Sequence, residues 1–135
     1  MLKNKLKITI LSFGYLKSGI PADSTGNGGG FIFDCRGLPN PGRFDKFKDK
    51  TGLNKKVTDF LEKEDTVSQF INHTYALIEL TALDYTRKEF SDLFVAFGCT
   101  GGQHRSVYCA EKVTNMLKSA QFNVILKHID IPSYL

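Results

Sequence analysis

Residues 6 to 13, LKITILSF, alternate apolar and polar positions and are rich in β-branched types, which predicts a first strand ending at Gly14. The loop STGNGGG at 24 to 30 leads into FIFDC at 31 to 35, a short apolar run that suits a buried second strand. Asp34 and Arg36 stand at its carboxyl end, where open α/β sheets bind ligands. Residues 36 to 55 hold Gly37, Pro39, Pro41, Gly42 and Gly52, so a long connection with room for one helical turn is expected. Val57, Phe60 and Leu61 predict a short helix. Thr66 with Gln69 three residues on predicts the capping box of a longer helix reaching about residue 85, with Phe70, Ile71, Tyr75, Ile78 and Ala82 on its packed face. DLFVAF at 92 to 97 predicts a third, central strand, and Gly98 to Gly102 a turn. From Gln103 the spacing of Val107, Ala110, Val113 and Leu117 predicts a helix, and FNVILKHI at 122 to 129 a last strand.

Strands alternating with helices predict an α/β fold: a mostly parallel sheet flanked by helices on both faces. The 135 residues fit one domain, 1–135, large enough to bury a core without staples. MLKNKLKITILSF places lysines before an apolar stretch, yet Lys5, Lys7 and Thr9 interrupt it and no small-residue cleavage site follows, so a signal peptide is not expected. No run approaches the roughly 18 apolar residues of a membrane helix. Three unevenly spaced cysteines give no disulfide framework, and a cytoplasmic location with no membrane contact is expected. The net charge of +4 is compatible with an anionic partner, either a phosphorylated small molecule or a nucleic acid. The lysines at 46, 48, 50, 55 and 56 are interleaved with Asp45 and Asp49 and read as a solvated face.

The segment FGCTGGQHRSV, 97 to 107, is where the chemistry concentrates: a strand, a glycine turn, then a helix start carrying Gln103, His104, Arg105 and Ser106. The first N–H groups of a helix have no partner within it and carry partial positive charge, so this pattern makes an anion cradle. Gly101 and Gly102 allow close approach of the backbone, Arg105 offers two parallel donors to a phosphate, and Thr100 and Ser106 offer hydroxyls. The glycines at 26, 28, 29 and 30 precede a strand and do not make a dinucleotide loop, and no GxxxxGK[ST] occurs. Cys99, His104 and Cys109 lack the paired spacing of a zinc site; no metal and no cofactor are expected. His73 and His128 read as packing or surface residues.

Cys99, Gly102, Arg105 and Ser106 also fit C-x-x-G-x-x-R-[ST], which is similar to the phosphate loop of cysteine-dependent phosphatases. In that chemistry a thiolate is the nucleophile and the arginine holds the phosphate, so the catalytic set would be Cys99, Arg105 and Asp34, the last as general acid. Those enzymes usually have histidine before the cysteine, where this chain has Gly98.

SFGYLKSGIP at 12 to 21, FDCRGLPNP at 33 to 41, TGL at 51 to 53 and GCTGGQHRSV at 98 to 107 follow, in order and spacing, the pattern of one family. Across most of its length the chain resembles the C-terminal domain of RapZ (YvcJ-like) RNase adapter proteins. The resemblance implies a fold similar to a phosphofructokinase subdomain, a homo-oligomer, and a non-catalytic regulatory domain that senses an amino-sugar phosphate such as glucosamine 6-phosphate. It implies phosphate contacts at Thr100, Gly101, His104 and Arg105, with Cys99 beside them and Asp34 and Arg36 on the same pocket. It further implies an alternative role as a module that binds small RNA and presents it to a ribonuclease.

Three departures qualify it. The P-loop kinase-like domain that opens full-length members is absent, so the chain is expected either to be a fragment of a longer protein or to work beside a separate kinase-like partner. Gly42 followed by Arg43 stands where some members place a histidine or large residue, and Arg43 is the candidate to replace that sugar contact. The ending KHIDIPSYL lacks the basic tail associated with RNA.

Overall fold

The computed structural model describes residues 5–132; the ends of the chain, including the SYL of the non-basic ending, lie outside the described residues. Four strands, β1 (Lys7–Gly14), β2 (Phe31–Asp34), β3 (Asp92–Cys99) and β4 (Asn123–His128), form one sheet in the order β2-β3-β1-β4. Every pairing is parallel, with Ile10 opposite Val95 and Leu126, and Phe33 opposite Phe97. β3 runs two residues further than the sequence predicts, through Gly98 and Cys99, because both still pair with β1 and Gly98 also pairs with Asp34.

The connections carry α1 (Asp45–Lys48), α2 (Lys55–Glu62), α3 (Asp65–Arg87) and α4 (Arg105–Ser119). The long 36–55 connection holds a short 3-10 helix, Pro41–Arg43, besides the single turn α1. α2 is capped by Asn54, whose side chain accepts from the Lys56 N–H at 2.9 Å, and it buries Val57 and Leu61, one turn apart. α3 does not use the expected capping box. Its N-cap is Glu64, and Thr66 and Gln69 sit exposed inside the first turns, because Val67 and Ser68 already donate to the Glu64 carbonyl. Along α3 the buried stripe is Val67, Ile71, Thr74, Ile78 and Ala82, at the helical period. No helix of the described residues is long and apolar enough to cross a membrane.

The sheet is flanked by helices, but unequally. Leu6, Ile8, Ile10, Leu93, Val95 and Phe97 share one core cluster with Leu61 of α2, Ile71 and Ile78 of α3 and Val113 and Leu117 of α4. The alternate residues Phe13, Phe94 and Ala96 form a separate small cluster with Leu11, Tyr15 and Ile129, and no helical residue joins it. The expectation of helices on both faces is corrected. Only the β1-to-β2 crossover steps in the opposite direction along the sheet, and right-handed crossovers that step in opposite directions cover opposite faces. That crossover, residues 15–30, is a loop with no helix in it. Lys46, Lys48, Lys55 and Lys56 are exposed, as a solvated face requires.

Candidate functional site

The strands point their carboxyl ends one way, so the segments after β2 and β3 meet above neighbouring strands. An open bay of about 660 Å³ lies there, lined by Arg36, Asn40, Arg43, Thr66, Thr100 and Arg105. A larger groove, about 770 Å³, runs between α2, α3 and α4 over Val67, Ile71 and Tyr108. It is built from helix side chains rather than from the segments that follow the strands, and its Lys112 and Glu62 face each other at 3.8 Å, so its charges offset. The smaller bay gathers Arg36, Thr100 and Arg105 of the expected site residues.

Arg105 is its best-built element. The residue is 6 % exposed, and its Nη1 donates to the backbone carbonyls of Arg36 at 2.8 Å and Leu38 at 3.1 Å. Its buried Nε has no partner among the described residues. A guanidinium carries five donors, so these two contacts leave donor capacity. Arg36 is fixed differently: its Nε and Nη2 grip the Asp34 carboxylate at 2.9 and 2.8 Å, and its guanidinium lies 3.7 Å from the centre of the Tyr15 ring. Those bonds from Arg36 hold the Asp34 carboxyl below its ordinary value, with the Arg105 charge adding to them. Asp34 is therefore ionised at neutral pH, the opposite of what a general acid needs.

Cys99 forms the floor of the glycine turn, 3 % exposed, with Sγ 3.2 Å from Ser106 Oγ. Burial pushes its thiol up, but the Ser106 hydroxyl, the N–H groups of Ser106 and Gly102 and the Arg105 charge outweigh burial, so the thiol lies below its ordinary value. This matches the local electrostatics of a thiolate loop. The histidine that usually precedes such a cysteine does not fit, however. A Cβ at Gly98 would stand 2.4 Å from Phe13 Cζ and 2.6 Å from Tyr15 Cε2.

The turn separates the expected site residues by role. Gly102 has φ +72°, and a Cβ there would lie 2.7 Å from Gly14 N, so its smallness serves packing against β1. Gly101 has open space beside it, its nearest neighbour to an added Cβ being Gln103 Cγ at 4.0 Å, and is the glycine that leaves the backbone approachable. Gln103 donates from Nε2 to the Asp130 carbonyl at 2.8 Å, tying the turn to the segment after β4. His104 donates from Nε2 to the Phe47 carbonyl at 3.0 Å and thus anchors α1. The sequence predicts Gln103 and His104 in the first turn of α4, but the helix begins at Arg105, with His104 as its N-cap at φ −116° and ψ −76°.

Of the expected residues, Arg36, Thr100 and Arg105 therefore line one bay; Asp34 backs Arg36, while Cys99 and Ser106 form the buried layer beneath. Asn40 and Thr66 were not singled out as bay residues by sequence. Asn40 caps the 3-10 helix by accepting from Gly42 N at 2.9 Å, and N-P-G is a legible turn signal. Thr66 reaches the bay only because α3 starts above the strand ends, which no local pattern records. His128 bridges Ser12 Oγ at 2.6 Å and Glu111 Oε2 at 2.7 Å, so it fastens β1, β4 and α4 together.

A profile of the RapZ C-terminal domain matches residues 6–132. Among similar proteins, a "nucleotide-binding protein" of Thermotoga neapolitana is 40% identical over 126 residues, covering 93% of this chain and 43% of that protein. Proteins of the same description from Endomicrobium trichonymphae and Glaesserella parasuis are 42% and 39% identical over 129 and 132 residues, covering 96% and 98% of this chain. The chain spans 43% and 44% of those two proteins, less than half their length. The match runs through both strand-end segments that build the bay, and the chain belongs to the RapZ C-terminal domain family.

Proposed function

We propose that the domain is a non-catalytic sensor of a phosphorylated sugar, with the phosphate held at Thr100 and Arg105 beside Arg36. The amino-sugar phosphate implied by the family resemblance is the first ligand to test. The observation that carries this reading is Arg105: a guanidinium almost wholly out of water, bound to two carbonyls and to no carboxylate, on the wall of an open bay. Burying a cation with no carboxylate bonded to it is costly, and an anion in the bay supplies a direct partner. A phosphate takes two parallel bonds from such a group. Asp34 and Tyr15 support the reading by holding Arg36 in place at the mouth.

The test is thermal unfolding of the chain titrated with glucosamine 6-phosphate, glucosamine and inorganic phosphate. A ligand at 100 times its Kd adds about 2.7 kcal/mol of stability. Stabilisation by the phosphate ester and none by glucosamine is the expected result, and Thr100→Val should weaken it without lowering the unliganded Tm, since the Thr100 side chain is exposed. Equal stabilisation by glucosamine would overturn the phosphate site.

A further inference from the structure

The turn Gly98 to Gly102 is mostly glycine, so it has little side chain with which to fix its own shape and depends on what surrounds it. Asp130, in the segment after β4, reaches it by two routes. Its backbone carbonyl accepts from Gln103 Nε2 at 2.8 Å, just past the far end of the turn. Its Oδ2 accepts from the Gly14 N–H and from the Ser18 hydroxyl, each at 2.7 Å, and so sets the loop after β1. That loop donates to the near end of the turn, from Tyr15 N to the Cys99 carbonyl at 2.8 Å and from Leu16 N to the Thr100 carbonyl at 3.0 Å. The fit is close: a Cβ on Gly102 would stand 2.7 Å from Gly14 N and 3.0 Å from Asp130 Cβ. Asp130 is in turn fixed by the sheet, since Ile129 N donates to the Ser12 carbonyl at 2.9 Å and both ring nitrogens of His128 are bonded. It does not line the bay.

We infer that Asp130 is a positioning residue of the bay, holding Thr100 and the glycine turn from behind in the shape that receives the ligand. The inference rests on the phosphate-site reading and adds to it a residue that touches no ligand. Hydrogen bonds to a carboxylate are of the strong, charge-assisted kind. A turn that leaves its receptive shape for part of the time binds with an affinity reduced by that fraction. Both side-chain bonds fall on one oxygen of Asp130, so asparagine, with its single carbonyl oxygen, keeps them and alanine keeps neither. The role is therefore one of geometry and not of charge.

The experiment is calorimetric titration of the full chain with glucosamine 6-phosphate well below its Tm, with hydrogen exchange of the unliganded protein beside it. Asp130→Ala should bind about tenfold more weakly, the loss when the receptive shape falls to about a tenth of the molecules, and its Leu16 amide should exchange faster. Asp130→Asn should restore wild-type affinity. Ile78→Val, a trim of the core in α3, should lower the Tm and leave affinity unchanged, which separates positioning from a general loss of stability. Ser18→Ala, at an exposed position, should weaken binding in the same direction and takes the place of Asp130→Ala if that variant does not fold. Wild-type affinity in the variant so tested, equal weakening by alanine and asparagine at Asp130, or an equal loss in Ile78→Val would overturn the inference and leave the phosphate site standing. No binding by the wild-type chain would overturn the phosphate-site reading and the inference with it.

Discussion

Arg105 donates from Nη1 to the backbone carbonyl of Arg36 at 2.8 Å, so one guanidinium of the bay fastens the main chain that carries another. The helix start after β3 and the loop after β2 are thereby one mechanical unit. Arg105→Ala should destabilise the unliganded domain by about 1.5 to 3 kcal/mol, the range for hydrogen bonds of a charged group. Urea unfolding measures this, and a wild-type midpoint in Arg105→Ala would mean the strut carries no load. Loss of ligand binding in that variant is thus not by itself proof of contact, which is why Thr100→Val is the sharper probe.

The Asp34–Arg36 pair gives the stability a definite pH dependence. The native carboxyl lies below its ordinary value, so its contribution is fully present above the unfolded pKa of about 3.9 and is lost as pH falls through the lower native value. Asp34→Asn should lower stability at pH 7 by less than about 1 kcal/mol, because the pair is half exposed and screened. The two curves should converge in strong acid. A constant gap down to pH 2 would show that the lost contact is not ionic.

Cys99 and Cys35 should part in their reactivity. The Cys99 thiol is held below its ordinary value, while burial, with Cys109 beside it, pushes the Cys35 thiol well up. Iodoacetamide labelling followed by mass spectrometry should modify Cys99 first, at a pH below the ordinary thiol range of about 8.5. Ser106→Ala should move the labelling pH of Cys99 upward. Labelling of Cys35 ahead of Cys99 would contradict the electrostatics of the turn.

Gln121 closes α4 in the left-handed region, at φ 70°, with Phe122 N bonded to the Leu117 carbonyl and Gln121 N to that of Lys118. This is the position that glycine usually fills. Gln121→Gly should stabilise by about 0.5 to 1 kcal/mol, the relief of backbone strain exceeding the added freedom of the unfolded chain. A lower Tm in the variant would mean that the side chain makes up for the strain.

The strands were legible in the sequence because each apolar run has the period and length of a strand, and Val107, Ala110, Val113 and Leu117 give α4 its buried face at helical spacing. That a loop and not a helix covers the second face of the sheet was not legible. It follows from β2 lying outside β3, an order that no residue pattern within β2 or β3 encodes. The start of α3 misled because Thr66 and Gln69 have capping-box spacing, yet Glu64 ends the preceding turn and its carbonyl takes the first N–H groups. That Arg36, Thr100 and Arg105 line one bay was legible from their places at strand ends. The turning of Gln103 to Asp130 and of His104 to Phe47 was not, since both partners are distant in sequence and brought there by the fold.

The location of the ligand is tested most directly by amide chemical-shift mapping of the isotope-labelled chain titrated with glucosamine 6-phosphate. The account expects saturable shifts centred on Gly98 to Ser106 and on Arg36 to Arg43, the two strand-end segments that meet at the bay. Shifts centred instead on the groove between α2, α3 and α4, around Val67 and Tyr108, would contradict it.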